Sequence, residues 1–62
     1  MGTKKDLDRY WDGMKSGDWE TCLNIERKYG LDGYPPDVVT TALQAKADGK
    51  DMEKAIDEML GV

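Results

Sequence analysis

The sequence predicts an all-α protein, a small bundle of four short helices. Three observations carry that prediction. Apolar residues recur at helical spacing in four separate segments, each tracing one helix face. No segment shows the period-two alternation of a half-buried strand. Clusters of serine, glycine, proline and aspartate at 16–18, 30–36 and 48–51 punctuate the segments, and these are the residues that end helices and start new ones. The expected helices span about 4–15, 19–29, 36–47 and 51–60.

In the first, Thr3 is placed to cap and Asp6 to complete an approximate capping box. Leu7, Tyr10, Trp11 and Met14 form the apolar stripe, with Asp6, Asp8, Arg9 and Asp12 on the other face. Gly13 lies in the last turn and weakens it by roughly 1 kcal/mol relative to alanine. Asp18 is the next cap. Trp19, Cys22, Leu23, Ile25 and Tyr29 follow it, with Glu20, Glu26, Arg27 and Lys28 outside. Gly30 stands where a helix-ending residue takes positive φ, and Leu31 is placed to make the hydrophobic contact of that turn.

Leu31-Asp32-Gly33-Tyr34-Pro35-Pro36 divides the chain. Asp32-Gly33 is turn chemistry, and proline is well tolerated as a first helical residue, so Pro36 or Asp37 opens the third helix. Val38, Val39, Ala42, Leu43 and Ala45 point inward from it. Asp51 caps the fourth, whose stripe is Met52, Ala55, Ile56, Met59 and Leu60, and Gly61 closes it.

A chain of 62 residues makes one domain. It buries roughly 60% of its unfolded surface, so the core is small and leaves little room for a deep pocket. The net charge of −4 is unevenly placed. Residues 1–30 carry six basic and six acidic groups; residues 31–62 carry three and seven. Without clustered lysine and arginine, direct nucleic-acid binding is not expected. Cys22 is the one cysteine and fits a reducing, cytoplasmic setting; no leader or membrane-length apolar run is evident. The start Met1-Gly2-Thr3 lacks the serine or threonine of a myristoylation signal, having Asp6 there instead.

The chain has no histidine, hence no histidine-activated nucleophile and none of the commonest metal ligand. Cys22 reads as buried filler. The loop Asp48-Gly49-Lys50-Asp51 fails as a calcium loop, since Gln44, Lys46 and Ala55 stand where oxygen ligands belong. Isolated glycines make no phosphate loop. The expectation is therefore no enzyme, no catalytic residue, no metal and no cofactor. Trp11 and Trp19 are expected in the core, or as anchors if the first helix is itself a docking element. Tyr34, in a loop beside Gly33, is the aromatic residue most apt to face a partner.

The segments Gly33-Tyr34, Ala42-Leu43, Ala55-Ile56 and Met59-Leu60 together resemble the ubiquitin-associated and CUE family of three-helix domains over about residues 19–60. The chain departs from that pattern at Asp32 and Met59, where the family carries methionine and leucine. The resemblance implies a three-helix core over 19–60, with residues 1–16 as an added helix. It implies a protein-binding face made by Gly33, Tyr34, Met59 and Leu60, rimmed by Asp57 and Glu58, and a partner with an apolar surface ringed by basic groups, ubiquitin being the family's own. The expected function is accordingly a non-enzymatic protein-interaction domain, without membrane or direct nucleic-acid partners. Two other readings fit the composition. One is a small acidic inhibitor of phage or plasmid type that imitates nucleic acid; the other is a purely structural helical piece of a larger assembly.

Overall fold

A computed structural model describes residues 2–61. Four helices account for most of them: α1 Gly2–Ser16, α2 Trp19–Lys28, α3 Pro36–Ala47 and α4 Met52–Leu60. The described residues contain no strand, so the all-α bundle expected from the sequence is the fold. The accessible surface is 4247 Å². A compact monomer of 7.0 kDa is expected to show about 4,000 Å², so the chain closes its own core.

Local chemistry sets the boundaries. Asp18 caps α2, its carboxylate accepting from the Thr21 amide at 3.3 Å. Asp51 caps α4 by accepting from the amides of Glu53 and Lys54. Pro35 caps α3 in an extended conformation and Pro36 takes the first helical position, where its missing N–H costs nothing. Thr3 lies inside α1, which already begins at Gly2, and is not its cap. At the end of α2, Gly30 adopts φ +69°, a conformation that costs glycine little. This lets the Leu31 amide reach back to the Glu26 carbonyl at 2.7 Å and turns Leu31 into the core. The same backward bond closes α1 (Asp18 to Gly13, 2.8 Å) and α3 (Lys50 to Ala45, 2.8 Å).

α1 packs against both α2 and α3, and α4 packs against α3. Leu7 and Tyr10 of α1 share one buried cluster with Ile25, Leu31, Val39, Leu43 and Ile56. The first helix is thus a core element, and α2 joins the bundle mainly through it.

The two seams of α1 differ in chemistry. Toward α3 it presents Leu7, and the contact is apolar. Toward α2 it presents Asp6, Tyr10 and Gly13, all buried, at spacing i, i+4, i+7. Asp6, expected on the solvent face, is only 4% exposed. Its carboxylate is satisfied from α2 and the residue after it: Lys28 donates at 2.8 Å and Tyr29 at 2.6 Å, with Arg9 at 3.8 Å. The Tyr10 hydroxyl donates to Glu26 at 2.7 Å. A carboxylate can be buried here because cationic and hydroxyl donors arrive with the neighbouring helix.

Gly13 does more than weaken a turn. A Cβ at this position would lie 2.9 Å from Cys22 Sγ and 3.1 Å from the Asp18 carbonyl oxygen. The close approach of α1 and α2 therefore requires glycine there. Trp11 and Trp19, expected in the core, are 47% and 61% exposed. Leu23, expected in the apolar stripe of α2, is also exposed, because Cys22, Ile25 and Tyr29 form the face turned to α1.

Candidate functional site

The segment between α2 and α3 is held at both ends. Leu31 is anchored in the core, and the Val38 and Val39 amides both donate to the Pro35 carbonyl at 3.1 Å. Between these anchors Gly33 takes φ +97°, and the Tyr34 amide donates to the Leu31 carbonyl at 3.3 Å. A side chain at position 33 would be strained at that φ. The tight turn it allows sets the Tyr34 ring beside α4, 36% exposed.

Tyr34, Glu53, Ile56 and Asp57 line a recess of about 300 Å³. Ile56 belongs to the core cluster and forms its apolar wall. Glu53 and Asp57 are four residues apart on α4, so both carboxylates project from one helix face. Leu60 follows Asp57 by three positions and Ile56 by four, continuing that face toward the end of the helix. Met59 is 41% and Leu60 51% exposed. Gly61 stops the helix in a left-handed conformation, its amide bonding back to the Asp57 carbonyl.

Of the residues singled out from the sequence, Gly33, Tyr34 and Asp57 are thus brought together, and Met59 and Leu60 stand at the end of the helix that supplies Asp57. Glu58 lies elsewhere: it lines a groove of about 440 Å³ with Leu7, Trp11, Ala45, Lys50 and Ala55, where α1, α3 and α4 meet. Glu53, which is not among those residues, takes its place beside Tyr34.

Another recess, of about 550 Å³, lies between α1 and α2. Asp6, Arg9, Asp12, Asp18 and Lys28 line it. Its buried carboxylate is engaged: the donated bonds of Lys28 and then Tyr29 hold Asp6 below the usual carboxylate range. Burial, and then the Glu26 carboxylate, pushes Tyr10 well above the usual phenol range. Burial likewise raises the Cys22 thiol, the reverse of what a nucleophile needs. This seam could have been found only from residue pairs such as Asp6 and Lys28, which are 22 positions apart and carry no sequence signature.

Among the described residues no group of three or more aspartate, glutamate or cysteine side chains stands close enough to hold a metal ion, and no helix is long and apolar enough to cross a membrane. Comparison of the chain with protein-family models, curated proteins and solved structures finds no match.

Proposed function

We propose that this chain is a non-enzymatic protein-docking domain whose contact surface is built on Tyr34, with Gly33 shaping the loop beneath it and Met59 and Leu60 on the last helix. The observation that carries the reading is that the exposed Tyr34 ring, at 36%, lines a recess with α4, the helix whose end carries the exposed Met59 at 41% and Leu60 at 51%, whereas the other exposed large apolar residues, Trp11, Trp19 and Leu23, belong to α1 and α2. Exposed apolar groups rimmed by polar ones are how protein-binding surfaces are commonly made, and methionine adapts readily to a partner's shape. Asp57 flanks this surface, while Glu58 serves the neighbouring groove.

The absence of an enzymatic role belongs to the same proposal. The residues best suited to covalent or acid–base chemistry, Cys22, Tyr10 and Asp6, are buried and committed to the α1–α2 seam. A free thiol at Cys22 fits a reducing compartment.

The resemblance of residues 19–60 to ubiquitin-associated and CUE domains makes ubiquitin the first partner to test. Isotope-labelled chain titrated with ubiquitin is expected to shift the amides of Gly33, Tyr34, Asp57 and Leu60. Tyr34→Ala and Leu60→Ala each weaken binding by tenfold or more if they are central anchors. Shifts confined to Trp19 and Leu23 would move the docking surface to α2 and defeat this reading.

A further inference from the structure

The recess beside Tyr34 is more specific than an apolar patch. Both of its ionisable helix residues, Glu53 and Asp57, are acidic. Neither is in an ion pair: among the described residues the ion pairs are those of Asp6 with Arg9 and with Lys28. The one basic residue of α4, Lys54, lies on a different flank, lining a separate recess with Ala45, Lys50, Asp51 and Glu58. The helix is therefore divided by charge, and the flank facing Tyr34 carries only carboxylates. Between them stands Ile56, 7% exposed, and opposite them the half-exposed ring.

A lysine or arginine side chain matches each of these features. Its stem is aliphatic and packs along apolar surface, while its head seeks carboxylates and is attracted to aromatic faces. Two carboxylates one helical turn apart can share a single ammonium or guanidinium group. We propose, building on the docking reading above, that this recess receives one lysine or arginine side chain of the bound partner, with its stem on Tyr34 and Ile56 and its charge between Glu53 and Asp57. The partner is thus a polypeptide that places a basic residue next to apolar ones. The apolar residues meet Met59 and Leu60; the basic residue fixes the register.

Three peptides test this: acetyl-Leu-Xaa-Leu-Xaa-Leu-amide with Xaa as lysine, glutamine or glutamate, titrated into the isotope-labelled chain. The lysine peptide is expected to shift the Tyr34, Glu53 and Asp57 amides and to bind about two- to fivefold more tightly than the glutamine peptide, the scale of an exposed ion pair. The glutamate peptide is expected to bind most weakly. The preference should shrink toward unity at high salt. It should also vanish in the Glu53→Gln/Asp57→Asn double variant, whose exposed, near-isosteric changes leave the fold intact and keep the leucine-driven shifts at Met59 and Leu60.

Equal binding of the lysine and glutamine peptides, with shifts at Tyr34 and Leu60, overturns the basic-residue site and leaves the docking surface standing. A lysine preference that survives in the double variant overturns it too, placing the cation elsewhere. No shift at Tyr34, Met59 or Leu60 with any peptide counts against both.

Discussion

Replacing Gly13 by alanine sets two effects of opposite sign against each other. In an exposed helix the change stabilises by about 1 kcal/mol, because alanine loses less backbone freedom on folding. Here the new methyl group would lie 2.9 Å from Cys22 Sγ and 3.1 Å from the Asp18 carbonyl oxygen. The thiol is buried and directed at the Tyr10 carbonyl, 3.6 Å away. The carbonyl is backbone at the cap of α2. Neither yields cheaply, and overpacking of this kind costs about 1–3 kcal/mol. The steric cost should win, leaving Gly13→Ala less stable by about 1 kcal/mol and its Tm lower by about 4–8 °C. Urea denaturation followed by far-ultraviolet circular dichroism measures the difference. Combining it with Cys22→Ala isolates the contact: in that background the cost of Gly13→Ala should fall by about 1 kcal/mol. A Gly13→Ala chain as stable as its parent would refute the reasoning. Strict additivity with Cys22→Ala would assign the obstruction to the Asp18 carbonyl alone.

The acid limb of stability should report Asp6. Its folded carboxyl titrates below the unfolded one, which takes up a proton near pH 3.9, so its contribution is complete above that pH and is lost as pH falls through the lower folded value. Asp6→Asn should flatten the dependence of Tm on pH in that window, and an unchanged slope speaks against the bonds that Lys28 and Tyr29 donate to Asp6. Tyr10→Phe removes the hydroxyl bonded to Glu26 and should cost about 1 kcal/mol in a urea melt; a neutral result means that water replaces the bond at no loss. Leu43→Ala, at a fully buried position, should cost about 2–5 kcal/mol, enough to unfold a substantial fraction of so small a domain at 25 °C. Iodoacetamide should alkylate Cys22 much more slowly in the folded chain than in urea; equal rates would show that the α1–α2 seam is open.

Three of the helices were legible because their ends are announced locally, whereas Thr3, placed to cap α1, lies inside it. Asp18 and Asp51 cap, Pro36 starts, Gly30 and Gly61 stop, and all five do in the structure what their chemistry predicts. The apolar stripe of α3 was equally plain, since Val38, Val39, Ala42, Leu43 and Ala45 are all buried. What could not be read was the second face of α1. Asp6, Tyr10 and Gly13 look like an unremarkable mixture until Lys28, Tyr29 and Cys22 are brought opposite them, and only that pairing makes a buried carboxylate tolerable and a glycine necessary. The tryptophans misled for a related reason. Hydrophobic size argues for burial, but the core is completed by Leu7, Tyr10, Cys22 and Ile25, and Trp11 lies at the rim of the groove where α1, α3 and α4 meet. At the candidate site, Gly33 and Tyr34 were visible as loop chemistry, whereas the separation of Asp57 from Glu58 depends on how α4 is rotated against its neighbours.

The position of α1 between α2 and α3 has a consequence for dissecting the chain. During synthesis α1 cannot settle until α3, some twenty residues later, has been made, and α2 must wait with it. A fragment spanning 19–60 would keep the α3–α4 contact but deprive α2 of its main partner and leave Lys28 and Tyr29 without their carboxylate. Supplied separately, a peptide of residues 2–16 should restore helicity to that fragment in proportion to its concentration, making two pieces of one small chain behave as a bimolecular complex.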